Sequence, residues 1–266
     1  MNARDGIFDN PWIVGRQRSS DEPRLRLFCL PHAGGGASLF RGWADALPPE
    51  VEVCPIQLPG RENRLREPLS TRLIPLAETL AAALRPCLDR PFALFGHSMG
   101  AWIAFVLAHE LSRRYRVAPA YLFVSGRRAP HLAAREAPIH ALPDDQFIMA
   151  LQDRYNSLPD AILREPELLE IYLPIVRADM AMVETFAYAP DVMLACPIAA
   201  FGGTEDRLVA RDELSAWREH TTGSFTLKLF EGGHFFVQTA RPALLSAVSR
   251  ILGGTASGSA LGSRGS

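Results

Sequence analysis

The sequence predicts a doubly wound, mostly parallel α/β sheet with an inserted helical lid, and three observations carry that expectation. Short apolar runs bounded by glycine, proline or asparagine alternate with amphipathic helical stretches. Several of those runs are apolar on both faces, the pattern of parallel strands covered by helices on either side. One region breaks the alternation: 131–188 has helical stretches punctuated by Pro138, Pro143, Pro159, Pro166 and Pro174, and no convincing strand.

In chain order, the first strand is expected at Leu25 to Leu30, followed by a glycine-rich loop, Pro31 to Ser38. A second strand is expected at Val51 to Leu58, and a helix from Leu73 to Leu88 is entered through Ser70-Thr71. The run Phe92 to Phe95 reads as a strand and Met99 to Arg114 as the helix after it, with Ala120 to Ser125 the next strand. Beyond the insertion, strands at Pro197 to Phe201 and Phe225 to Phe230 flank a helix at Ala210 to His220, and a last helix runs from Pro242 to Ile251. The organisation is a core in two parts, 1–130 and 189–252, a helical lid at 131–188 and a flexible polar tail at 253–266. A lid there would lie over the C-terminal edge of the sheet, where α/β folds keep their ligand sites, and its apolar positions would line a channel.

Composition narrows the function classes. The 266 residues are 48% hydrophobic, enough for a large core, and the net charge is −1. The positive charge is nearly all arginine, with Lys228 the only lysine, and it is mixed with acid along the chain, which argues against nucleic acid as partner. Cys29, Cys54, Cys87 and Cys196 lie far apart with no C-x-x-C pair, so zinc and dithiol redox chemistry lack support. No H-E-x-x-H or comparable cluster supports a metal. No apolar signal core or spanning segment is evident, and the expectation is a cytoplasmic protein away from the membrane.

The chemistry centres on Gly96-His97-Ser98-Met99-Gly100, set between an apolar strand and an apolar helix. That context is what a nucleophilic serine elbow requires, with glycines where a Cβ would collide with neighbouring elements. A serine hydroxyl needs a base to take its proton and a carboxylate to orient that base. In α/β-hydrolases these follow in the order Ser, Asp or Glu, His. Asp206 follows the strand Pro197 to Phe201 through Gly202-Gly203, with Glu205 its rival. His234 follows the strand Phe225 to Phe230 through Gly232-Gly233. His97 adjoins the serine, but the turn should point its ring away. The loop after the first strand suits an oxyanion hole, with backbone donors expected from Met99 and from Ala33, Gly34 being the alternative. A phosphate-cradling reading of that loop fails, since no Gly-Lys-Ser/Thr ends it and no G-x-G-x-x-G fits.

The segments LFCLPHAGGGASLFRGW, PIQLPGRENRLREP, FALFGHSMGA, CPIAAFGGTEDRLV and FEGGHFF together resemble the free-standing type II thioesterases of polyketide and nonribosomal peptide assembly lines. The resemblance spans about Leu25 to Leu252. It implies hydrolysis of acyl groups stuck on the phosphopantetheine arm of acyl or peptidyl carrier proteins, by a monomer that needs no cofactor or metal. It further implies that Ser98 attacks, His234 relays the proton, Asp206 orients it, and the Ala33 and Met99 amides hold the oxyanion. Because carrier proteins are acidic, Arg61, Arg64, Arg66, Arg127 and Arg128 are docking candidates. The alternatives are a small-molecule carboxylesterase or lipase, a chain-releasing or cyclising thioesterase, and a non-catalytic binder on the same fold.

Overall fold

Six strands form one parallel sheet: β1 (Leu25–Leu30), β2 (Val51–Pro55), β3 (Phe92–His97), β4 (Tyr121–Ser125), β5 (Ile198–Gly203) and β6 (Phe225–Phe230). The computed structural model describes residues 10–258 apart from 19, 21, 156–161, 163, 190 and 191. The strand order is β2-β1-β3-β4-β5-β6. The chain steps outward from β1 to β2, then returns across β1 to β3 and runs the other way. That reversal between β1 and β3 opens a crevice at the strands' C-terminal ends, where open α/β sheets bind ligands.

Alternate side chains of each strand feed opposite cores, as the two-residue repeat of a strand dictates. From β1, Phe28 and Leu30 join one core with Leu94 of β3, while Leu27 and Cys29 join the other with Ala93 and Phe95. The first core is covered by helices α1 (Leu73–Leu84) and α2 (Met99–Tyr115). The second is closed by the C-terminal helix (Arg241–Gly258), whose Leu244, Val248 and Leu252 recur every four residues, and by Phe40 and Trp43. All four cysteines are free and buried, and burial pushes their thiols up.

Between β4 and β5 lie α3 (Asp144–Tyr155) and α4 (Pro166–Glu184). Their facing residues, Phe147, Leu151, Leu173, Val176 and Met180, build a third, smaller apolar cluster over the loop after β1. Of the expected insertion, Leu158 and Pro159 fall outside the described residues. Met149, Leu168 and Ile171, apolar residues of the insertion, point to solvent rather than into a channel.

The element limits depart from the sequence reading where proline or continuity intervenes. β2 stops at Pro55, which has no amide to donate to a ladder. The run continues as a bridge from Ile56 to Ile13, with the Gln57 N–H on the Trp12 carbonyl at 2.9 Å. Helix α1 ends at Leu84 because Pro86 disfavours helix before it, leaving a 3₁₀ turn at Arg85–Cys87. The helix expected at Ala210 to His220 divides into α5 (Arg211–Ser215) and a 3₁₀ turn (Ala216–His220). The last helix passes through Gly253, where a tail was expected to begin, and reaches Gly258. A helix already anchored at Leu252 extends at one hydrogen bond per residue ordered. Residues 259–266 of that tail lie outside the described set. Among the described residues no helix is long and apolar enough to cross a membrane.

Candidate active site

Ser98 occupies the single residue between β3 and α2 and has φ 53° and ψ −115°. This is a backbone state an L-residue rarely adopts, costing on the order of 1–3 kcal/mol. Its surroundings enforce it. The Ser98 N–H donates to the Ser125 carbonyl at 2.7 Å, and the Ala101 N–H to the Ser98 carbonyl at 3.0 Å. A Cβ at Gly96 would overlap the Gly100 carbonyl, and one at Gly100 the Leu30 carbonyl, both of them backbone that cannot swing away.

His234 reaches this serine from the turn after β6. Its Nε2 lies 3.1 Å from Ser98 Oγ and its Nδ1 2.9 Å from Asp206 Oδ2. Two hydrogen bonds zip that turn to the one after β5: the Thr204 N–H to the Phe230 carbonyl at 2.8 Å and the Glu205 N–H to the Gly232 carbonyl at 2.9 Å. Gly232, at φ 113°, accommodates the bend. The Asp206 side chain is fully buried, and its Oδ1 accepts the Leu208 N–H at 2.9 Å. Glu205, the neighbouring acid, faces solvent. His97 points its Nδ1 at Ser125 Oγ, 2.9 Å away, and stays buried beside the His234 ring. Burial, then the neighbouring His234 and His32, hold it well below the usual imidazole range, so it remains neutral.

Ala33, Ser98 and Met99 line one chamber together with Leu151, Tyr155, Tyr172, Val176, Met180 and Val183 of the two inserted helices. Met99 is the first residue of α2, so its N–H has no carbonyl a turn earlier to bond. The Gly34 N–H is occupied: it donates to Asp179 Oδ2 at 2.7 Å. Ala33 is the other residue whose amide the sequence offers there. The chamber is small, about 30 Å³. It shares Arg127, Tyr155, Met180, Val183 and His234 with a larger cleft of about 440 Å³, whose outer wall includes Arg128 and the exposed Arg207.

The arginines do not form the basic mouth the sequence suggested. Arg61 is 3% exposed and paired face to face with Asp179, at 2.6 and 2.7 Å. Arg64 is buried against the Trp12 ring, with Glu67 at 2.7 and 2.5 Å and the Gln57 carbonyl at 2.8 Å. Arg127 is buried 3.7 Å over the Trp102 ring, and Arg128 is half-buried and donates to the Leu132 carbonyl at 3.3 Å. Of the five, only Arg66 is exposed. A planar guanidinium on an apolar stem finds internal acceptors and aromatic faces as readily as solvent, so charge in the sequence did not predict direction. The Arg127 Nε is buried without an acceptor, and burial, then Arg128, lowers this guanidinium to about 9.

Asp179 was absent from the sequence reading. Its signal was faint, one acid on a helix of mixed polarity, and nothing local marks it as buried. Tyr155 and Tyr172, which no motif marks, both face the chamber.

Residues 25–252 match the thioesterase domain family. Among curated proteins, the chain is 42% identical over 243 residues to the gramicidin S biosynthesis protein GrsT of Aneurinibacillus migulanus, covering 91% of this chain and 94% of that one. It is 41% identical over 238 residues to the thioesterase PikA5 of Streptomyces venezuelae, covering 89% and 84% respectively. Among solved structures it is similar to the RedJ thioesterase from the prodiginine pathway of Streptomyces coelicolor. There the TM-score is 0.80 at 40% identity, over 93% of this chain and 98% of that one.

Proposed function

The chain belongs to the thioesterase family, and on that premise we propose that it is a stand-alone type II thioesterase. It clears stalled or aberrant acyl groups, short ones first, from the phosphopantetheine arm of acyl or peptidyl carrier proteins in polyketide or nonribosomal peptide synthesis. It does so as a cytoplasmic monomer. The observation that carries the reading is the unbroken chain Asp206–His234–Ser98, at 2.9 and 3.1 Å, opening into an apolar chamber.

Ser98 Oγ attacks the thioester carbonyl carbon as its proton passes to His234 Nε2. The carbonyl oxygen becomes an oxyanion held by the Ala33 and Met99 amides, donors fixed before the charge develops. Asp206, accepting from His234 Nδ1–H, keeps the imidazole in the tautomer with Nε2 free and stabilises the imidazolium. As the intermediate collapses, the C–S bond breaks and the pantetheine sulfur takes the proton from Nε2. Water then gives its proton to His234 and attacks the Ser98 ester, releasing the acid and restoring the hydroxyl. The acyl group sits in the small chamber, whose space is on the scale of one or two water molecules, and the arm lies in the larger cleft. Arg66, the remaining exposed candidate, contributes to carrier docking.

The test is intact-mass monitoring of carrier proteins loaded with acetyl, propionyl, hexanoyl and decanoyl groups, mixed with native enzyme or Ser98→Ala. The expected result is release by the native enzyme alone, fastest for the two short groups. Faster turnover of small oxygen esters than of every loaded carrier would replace the reading with a carboxylesterase. Failure of a fluorophosphonate to label folded protein would make it a binder.

A further inference from the structure

The candidate oxyanion loop runs through three consecutive glycines, Gly34-Gly35-Gly36. Glycines lose the most conformational freedom on ordering, so such a loop does not hold a donor in place by itself. An oxyanion donor works only if it is oriented before the charge appears. The restraint therefore comes from elsewhere in the molecule.

It comes from helix α4. Tyr172, Val176 and Asp179 are spaced i, i+4 and i+7, which puts them on one face, and that face meets the loop. Gly34, at φ 74°, lies so close that a Cβ there would run into the Tyr172 hydroxyl and press on Val176. Asp179 is fully buried and uses both oxygens. Oδ2 accepts the Gly34 N–H at 2.7 Å and Arg61 Nη1 at 2.6 Å, while Oδ1 accepts Arg61 Nη2 at 2.7 Å. Arg61 Nη1 also donates to the Gly35 carbonyl at 3.2 Å. On the other side of the same peptide unit, His32 Nδ1 lies 2.8 Å from the Ala33 carbonyl oxygen and donates to it. The Ala33–Gly34 peptide is thus pinned at both its N–H and its C=O, and the Ala33 N–H just before it inherits a fixed direction.

We propose that Asp179, gripped by Arg61, is a positioning residue of the oxyanion hole: it holds the glycine loop so that the Ala33 amide faces the oxygen being charged. The inference rests on the thioesterase reading above. It adds that the hole is assembled across two parts of the chain and is complete only while α4 packs on the loop.

Removing one partner of a buried ion pair leaves the other charge stranded, whereas an apolar pair of similar size is often tolerated. The informative variant is therefore R61M/D179L, which keeps the packing of α4 and removes the tether. Three measurements on an acyl N-acetylcysteamine series are compared with native enzyme. They are kcat and KM, Ki for an acyl trifluoromethyl ketone (which becomes a hemiketal oxyanion on Ser98), and Ki for the inert thioether of the same acyl arm. A hole left unpositioned costs about 10²-fold in kcat, the lower end for loss of one donor. The ketone Ki should rise in step, with KM and the thioether Ki within about threefold of native. D179N, which keeps an acceptor for the Gly34 N–H, should fall between the two.

A double variant with kcat within threefold of native would overturn the proposal, as would a lost kcat with the ketone Ki unchanged. So would equal rises in both Ki values, the mark of general loosening. If the double variant does not fold, the ratio of ketone to thioether Ki in D179N carries the test, and an unchanged ratio rejects it. Failure of the thioesterase reading looks different: native protein would bind the ketone and leave every acyl thioester intact, and the native-to-variant ketone comparison would still stand.

Discussion

Asp206→Asn changes one atom of the carboxylate and tests the whole site. Asp206 spends Oδ1 on the Leu208 N–H at 2.9 Å and Oδ2 on His234 Nδ1 at 2.9 Å. An asparagine has one acceptor for these two demands. The Leu208 amide is backbone and cannot become an acceptor, so the Asn oxygen must turn towards it. That leaves the Asn NH₂ facing His234 Nδ1, which then has to accept. The imidazole proton moves to Nε2, the atom 3.1 Å from Ser98 Oγ, and the base can no longer take the serine proton. The same exchange in a serine protease triad lowers kcat about 10⁴-fold. At ~1.4 kcal/mol per factor of ten, that is about 5.5 kcal/mol of transition-state stabilisation. The assay is thiol release from propionyl N-acetylcysteamine at pH 7.5, with melting temperature as the control for folding. The expected result is a kcat lower by about 10⁴ with KM within about threefold. A kcat within tenfold of native in folded protein would refute the tautomer argument and the place of Asp206 in it.

Two further outcomes follow from the chamber and from the buried histidines. Met180 is 4% exposed and lines both the chamber and the cleft, so Met180→Ala trades about 2–5 kcal/mol of stability for space. Turnover of octanoyl relative to propionyl N-acetylcysteamine should rise at least tenfold, and an unchanged ratio would show that this chamber does not set acyl length. His220, in a 2.7 Å contact with His131, is lowered to about 4, chiefly by burial and then by His131 and His109. Between about pH 6.5 and 4 the unfolded chain binds this proton and the folded chain does not, so stability present above 6.5 drains away as the pH falls. The loss is at most about 3 kcal/mol from this group. Urea unfolding of native protein and His220→Phe across that window should give a shallower pH slope for the variant, with His97 and His32 keeping part of it. Parallel slopes would reject the assignment.

What was legible in the sequence was what is settled within a few residues. The elbow at Ser98 could be read because glycines before and after a strand-to-helix turn are a local steric requirement. The turns bearing Asp206 and His234 were visible for the same reason, as paired glycines ending apolar runs. Strand and helix periodicity set out the alternation, and with it an open parallel sheet whose turns at Ser98, Asp206 and His234 share one edge. Proline and helix continuity shifted the element ends by local rules that were present in the sequence but outweighed by the apolar pattern.

Direction and distance across the chain were decided only by the tertiary structure. Glu205 and Asp206 are adjacent acids, and the zipped turns after β5 and β6 selected which one is buried under His234. Arg61 and Asp179 are separated by 118 positions and become one ion pair only when α4 settles on the glycine loop. That contact also occupies the Gly34 amide. The size of the chamber beside Ser98 belongs to the same class, because it is the space left between two helices and a sheet. Periodicity tells each segment which face to bury, but which atoms meet on the buried side depends on close packing among segments with no local relation to one another.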